Sequence, residues 1–179
     1  MTAQEIITYM ESLRDDVQRK NLMRFFKTAP GEYGEGDEFL GLKVPQTREV
    51  VRHVDRDFPL EEVPELLSSR WHEVRLCGLL ILVSKFERLA TKRLTDDPAA
   101  IRGRDEILTM YLRHAERANN WDLVDLSVHK IVGAWLLLPT LLGSSTPGLH
   151  TDYKRRLLDE LAASDNLWKQ RICLNAINH

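Results

Sequence analysis

Cysteine is scarce in this 179-residue chain: Cys77 and Cys173 are the two present, and neither belongs to a Cys-x-x-Cys or Cys/His cluster. Neither a disulfide scaffold nor a structural zinc site is thereby indicated, and both thiols are expected to be buried small apolar groups. Long hydrophobic runs are missing too. Leu79-Leu80-Ile81-Leu82-Val83 falls far short of the ~20 apolar residues that span a bilayer. The first residues lack the basic and apolar regions of a secretory signal, so the cytoplasm is the expected compartment. Nor does one charge dominate, since 25 Lys and Arg face 27 Asp and Glu for a net charge of −2. A globally basic nucleic-acid binder is thereby excluded, although basic residues could still be sorted onto one face. Finally, no stretch alternates with the period of two that a strand requires.

What is present, 43% hydrophobic and 29% charged residues with 9 Gly and 7 Pro, is the profile of one globular domain over residues 1–179. Its pattern is helical throughout. Thr2 with Glu5 forms a capping box ahead of Ile6, Tyr9, Met10 and Leu13. A second helix is expected from Asp15 to about Lys27, burying Val17, Leu22, Phe25 and Phe26 and ending before Pro30. The Gly31–Asp37 loop resembles a phosphate-cradling glycine run only superficially: it lacks the Lys-Ser/Thr ending, and its Glu32 and Glu35 would repel phosphate. Tyr33 is the side chain in it with binding potential. Further helices are expected from Pro45 to about Arg56, from Glu61 to Leu67, and from Trp71 to Leu89 behind a Ser69 cap. Another runs from Pro98 to Ala118 behind Asp96 or Asp97. Pro139–Gly148 reads as a loop, Thr151 or Asp152 caps a helix to Ala163, and Ser164 or Asp165 caps the last, from Asn166 to the end.

Three helix starts are alike: Ser68-Ser69-Arg70-Trp71-His72-Glu73-Val74-Arg75, Ala118-Asn119-Asn120-Trp121-Asp122-Leu123-Val124-Asp125 and Ser164-Asp165-Asn166-Leu167-Trp168-Lys169-Gln170-Arg171. Each leads from a polar capping segment through a Trp to a charged residue in the second helical turn. The charged residues lie 125 − 75 = 50 and 171 − 125 = 46 positions apart, near the period of two-helix HEAT-type repeats. The fold expected is therefore all-α, an α-solenoid of stacked HEAT-like antiparallel helix pairs with a concave groove. Second helices of such pairs line the groove, so Arg75, Asp125 and Arg171 would share it. The alternative is that all three are ordinary polar residues at helix starts.

The middle stretch carries the most chemistry. On a helical wheel of about 100° per residue, Val124, Val128, Ile131 and Trp135 form a buried stripe with Val132 beside them in a helix running through Leu126 to Leu138. Trp121 borders the stripe with Asp125 one turn on, while Asp122 and His129 point further towards solvent. Asp122 suits the helix dipole. A half-buried Asp125 needs a partner, and Arg75 or Arg171 could be it. The spacing of Asp122, Asp125 and His129 would allow a metal, but such coincidences are common on helices and no further His or Cys is near. No metal or cofactor is expected. A carboxylate beside an indole, with arginines in reach, suits a cationic sugar-like transition state next to an anionic backbone.

The chain resembles the HEAT-like-repeat DNA alkylation repair glycosylases of the AlkD type. The resemblance rests on Phe25-Phe26-Lys27-Thr28, on Gly41-Leu42-Lys43-Val44-Pro45 with Arg48, on Asn120-Trp121-Asp122-Leu123-Val124-Asp125 with Gly133, and on Ser164-Asp165-Asn166-Leu167-Trp168-Lys169-Gln170-Arg171. It implies excision of positively charged N3- or N7-alkylated purines from double-stranded DNA without metal, cofactor or lyase step; a monomer is expected. By the same resemblance Asp125 would be the catalytic carboxylate, Trp121 would pack on the lesion's deoxyribose, and Arg171 would contact the backbone nearby. Arg75, Trp168, Tyr33, Lys43 and Arg48 are the further DNA-binding candidates. A Trp from a later repeat usually completes the family's groove, so a chain ending at His179 is expected to lack C-terminal repeats. The alternative function is a non-catalytic HEAT-like module that binds protein or structured nucleic acid.

Overall fold

A computed structural model describes residues 1–54 and 56–178. Among them every regular element is helical, and the only ladder-like contacts are isolated bridges, Glu38 with Trp71 and Thr140 with Gly148. The chain forms two compact units, Met1–Ile81 and Leu82–His179.

The first unit contains α1 (Ala3–Ser12), α2 (Asp16–Phe25), α3 (Val44–Val54), a 3-10 turn (Leu60–Glu62), α4 (Val63–Leu67) and the start of α5 (His72–Leu89). The expected capping box is made in full: Thr2 Oγ1 accepts from the Glu5 amide and the Glu5 side chain accepts from the Thr2 amide. Asp15 caps α2 through the amides of Val17 and Gln18. The burial expected of α2 is wrong, because none of its residues is buried; Val17 and Phe25 are 75% and 62% exposed, and only Phe26, just past its end, is enclosed. At about 100° per residue Val17 and Phe26 lie on opposite sides, so these apolar residues cannot share one face. The end expected for the Pro45 helix includes Asp55, which lies outside the described residues.

The core of this unit joins α1 to α4 through Ile6, Met10, Val63, Leu66 and Leu67, all at most 1% exposed. Gly41 lets the chain pass close to α2: it has φ +97°, and a Cβ there would fall 2.1 Å from the Asp15 carbonyl oxygen. Only glycine fits.

The second unit continues α5 and adds 3-10 turns at Lys92–Leu94 and Ala115–Arg117, α6 (Pro98–Arg113) and α7 (Trp121–Asp125). A π-helical turn (His129–Gly133), α8 (Ala134–Leu136), α9 (Thr151–Ala162) and α10 (Leu167–Ile177) complete it. Asp97 caps α6 with Pro98 at its first position, as expected. α9 starts differently. Its N-cap is His150 in the left-handed region (φ 46°), without a side-chain cap. The cap of α10 is Asn166, whose Oδ1 accepts from the amides of Trp168 and Lys169; Ser164 acts one step earlier, taking the Asn166 amide. The expected continuation of this helix to the end reaches His179, which lies outside the described residues.

The continuous helix expected through Leu126–Leu138 is interrupted. Ser127 Oγ donates back to the Leu123 carbonyl at 2.6 Å and meets the Tyr111 hydroxyl at 2.9 Å. Such back-bonding bends a helix, and a wider π turn follows. The buried stripe survives the interruption, with Val124, Val128, Ile131, Val132 and Trp135 all 0% exposed.

Two buried charges brace this unit. Asp105 accepts from Trp135 Nε1, Thr140 Oγ1 and the Leu141 amide, tying α6 to the loop after α8. Lys154, 4% exposed, donates to the carbonyls of Leu136 and Leu138 and lies 4.9 Å from the Trp135 ring centre. It thereby satisfies carbonyls that the end of α8 leaves open.

Candidate functional site

The site assembles where α7 meets α10. Asn120, fully buried, turns its side chain onto the Trp121 amide and starts α7. Trp121 and Asp125 are then four residues apart on one helical face, and both are half-buried. Asn166 starts α10 in the same way, which puts Trp168 half-buried in its first turn and Arg171 in its second.

Asp125 and Arg171 meet side-on. Nε of Arg171 donates to Oδ1 at 2.8 Å and Nη2 donates to Oδ2 at 2.6 Å, a bidentate pair with side chains 39% (Arg171) and 33% (Asp125) exposed. Bidentate geometry fixes the carboxylate plane as well as its position. The hydrogen bond to Asp125 raises the pKa of the Arg171 guanidinium; burial opposes it, and the negative charge of Asp125 adds a smaller rise. A third donor was not anticipated: Asn175 Nδ2 reaches Oδ1 at 2.6 Å. It lies one turn beyond Arg171, so the i, i+4 spacing was the available signal for it.

Two sequence expectations fail here. Asp122 does not face solvent; it is 4% exposed, with Oδ1 on the Leu123 amide at 2.8 Å. A wheel that assumes one open side does not suit a five-residue helix with α10 laid against it. Arg75 does not line a groove either. It is 2% exposed and donates to Asp37 Oδ1 and to the carbonyls of Ser69 and Arg70. Its neighbours complete an internal clamp: His72 Nδ1 lies 2.7 Å from Asp37 Oδ2, and Glu73 accepts from the amides of Leu40, Gly41 and Leu42. Burial would raise the Asp37 pKa, but His72 and Arg75 outweigh it and hold the carboxyl below its usual value. Asp37 and Glu73 had no sequence signal, since their partners lie more than thirty residues away.

Tyr33, Lys43 and Arg48 are exposed on the first unit. The Lys43 backbone caps α3, its carbonyl taking the Gln46 and Thr47 amides while its own amide donates to Gln46 Oε1. Both cysteines are buried free thiols, as expected. No described helix is long and apolar enough to cross a membrane.

A helical chain that presents a braced, one-third-exposed carboxylate one turn from an indole defines a class of candidate enzymes. The family described as DNA alkylation repair enzyme matches residues 6–179, and the chain belongs to it. No curated protein and no solved structure matches. Family membership makes DNA repair the chain's role and DNA its partner.

Proposed function

We propose that the protein is a DNA glycosylase that removes positively charged N3- and N7-alkylated purines from duplex DNA by hydrolysing the bond between C1′ and the base. The observation that carries this reading is Asp125, a third exposed yet held bidentate by Arg171, with Trp121 one turn away. An alkylated purine is already cationic, so it leaves as a neutral base when it takes the bond's electron pair. The remaining cost is the positive charge that develops on the sugar. Asp125 offers a fixed negative charge to that centre. Water then bonds to C1′ and gives its proton to the Asp125 carboxylate, which returns it to solvent.

The other residues supply binding. Trp121 packs its indole on the deoxyribose. Arg171 spends Nε and one Nη2 proton on Asp125, and its remaining donors suit a backbone phosphate. Trp168, three residues before Arg171 on α10, extends the same surface, and Tyr33, Lys43 and Arg48 are candidate backbone contacts on the first unit. We read the helices as HEAT-like pairs; α9 and α10, adjacent in sequence and packed together, support that reading in the second unit. The protein is proposed to act as a monomer without a cofactor.

A second reading draws on the same ion pair. As a staple between α7 and α10 it would serve a non-catalytic module equally well. Incubation with duplex DNA containing 7-methylguanine separates the two: release of the free base supports the glycosylase, and intact DNA after prolonged incubation supports the module.

A further inference from the structure

A carboxylate has four in-plane lone-pair positions, two on each oxygen. An arginine in bidentate contact takes one on each and leaves the oxygens equivalent, each with one position open. Asp125 is not left in that state. Oδ1 receives both Nε of Arg171 at 2.8 Å and Nδ2 of Asn175 at 2.6 Å, whereas Oδ2, among the described residues, receives Nη2 of Arg171 alone at 2.6 Å. Oδ1 is saturated, and the remaining open position belongs to Oδ2.

Asn175 is well placed to enforce this. It lies one turn beyond Arg171 on α10 and is half-buried, so one helix sets both donors. An ionised carboxylate only accepts, which fixes the amide with its nitrogen towards Oδ1. The donor is also neutral. A second cation would cancel the negative charge meant for the sugar, whereas an amide fills a lone pair and leaves that charge in place.

We propose that Asn175 is a positioning residue that saturates Oδ1 of Asp125 and so commits Oδ2 to the reacting sugar and water. This rests on the glycosylase reading above. With Oδ1 closed, water can be held at one oxygen only, and the carboxylate cannot turn its other edge to the sugar.

The test is single-turnover excision from duplex DNA containing 7-methylguanine, with DNA binding measured separately. Asn175→Leu removes the donor at similar volume. Its excision rate at saturating protein is expected to fall about 10–100-fold, the loss of one hydrogen bond to a charged group, with DNA affinity within about threefold of wild type. Asn175→Asp supplies the donor only when the introduced carboxyl is protonated. Its rate should climb as pH is lowered from 7 towards 5, while Asn175→Leu stays slow throughout. Thermal midpoints check that both variants are folded. A wild-type rate in Asn175→Leu, or a wild-type pH profile in Asn175→Asp, overturns the positioning role while the glycosylase stands. A wild-type protein that releases no base overturns the glycosylase reading itself, and the positioning role with it.

Discussion

Each unit of this protein contains an Asp–Arg pair joined across sequence, and the exposures of these two pairs differ widely. The Asp37 and Arg75 side chains are 1% and 2% exposed, whereas those of Asp125 and Arg171 are 33% and 39% exposed. Asp37 is enclosed, with His72 on one oxygen and Arg75 on the other, so it closes the loop before α3 onto the start of α5. Asp125 is gripped from one side by α10 and keeps an edge towards solvent. The chemical pairing is the same in both. Accessibility separates a residue that holds the fold from one able to act on a ligand, and a motif shared by the helix starts cannot express that difference.

The comparison breaks most visibly at the buried pair. Asp37→Asn leaves Arg75 charged inside the first unit and is expected to cost about 3–5 kcal/mol in urea unfolding, as loss of one partner of a buried pair does. The folded-state pKa of Asp37 lies below 3.8, so its contribution is fully present above that value and is lost as pH falls through the folded pKa. The variant should therefore show a flatter acid limb than wild type.

At the exposed pair the effect moves from stability to rate. Arg171→Lys keeps the charge and forfeits the two-point grip, so excision is expected to slow by about 10–100-fold, the equivalent of about 1.5–3 kcal/mol, with little change in unfolding.

Lys154 sharpens the contrast from within the second unit, being a buried cation there. Burial lowers its pKa from 10.5 to about 8 despite the pull of Asp105. The folded protein releases this proton first, so its contribution to stability rises with pH between about 8 and 10.5. Wild type should gain on Lys154→Met across that window by on the order of 1 kcal/mol. Burial raises the Cys77 pKa from 9.0 to about 12, which lowers stability in the alkaline range, but Cys77 is common to both proteins and cancels in the difference. The smallest effect is expected for the stability of Asp125→Asn: about 0–1 kcal/mol in urea unfolding, the range of solvent-exposed pairs.

Much of this was legible in the sequence where the signal is local. Thr2 caps its helix as expected, Asp97 is one of the two caps expected for α6, and Asp15 caps the helix expected to begin at it, because a cap is written within three residues of its amides. The buried stripe from Val124 to Trp135 followed from periodicity, and the near-repeat offered Arg75 or Arg171 as partner of Asp125, of which Arg171 is the one that reaches it. What depends on neighbours in space was not legible. Arg75 carries the same motif position as Arg171, yet it folds inward onto Asp37, 38 residues earlier, and onto the nearby carbonyls of Ser69 and Arg70. Asp122 was assigned to solvent by a wheel that could not know where α10 would lie. The contact of Ser127 with the Tyr111 hydroxyl likewise joins residues sixteen apart.

The most direct test of the proposed chemistry is excision by Asp125→Asn, which keeps the volume of the side chain and removes its charge. Released 7-methylguanine would be measured under single-turnover conditions on duplex DNA, with wild type and variant at equal folded concentration. The account predicts a rate lower by about 10²–10³, comparable to removing one group that stabilises transition-state charge, with the variant still folded and still binding DNA. Excision at the wild-type rate by Asp125→Asn would contradict it.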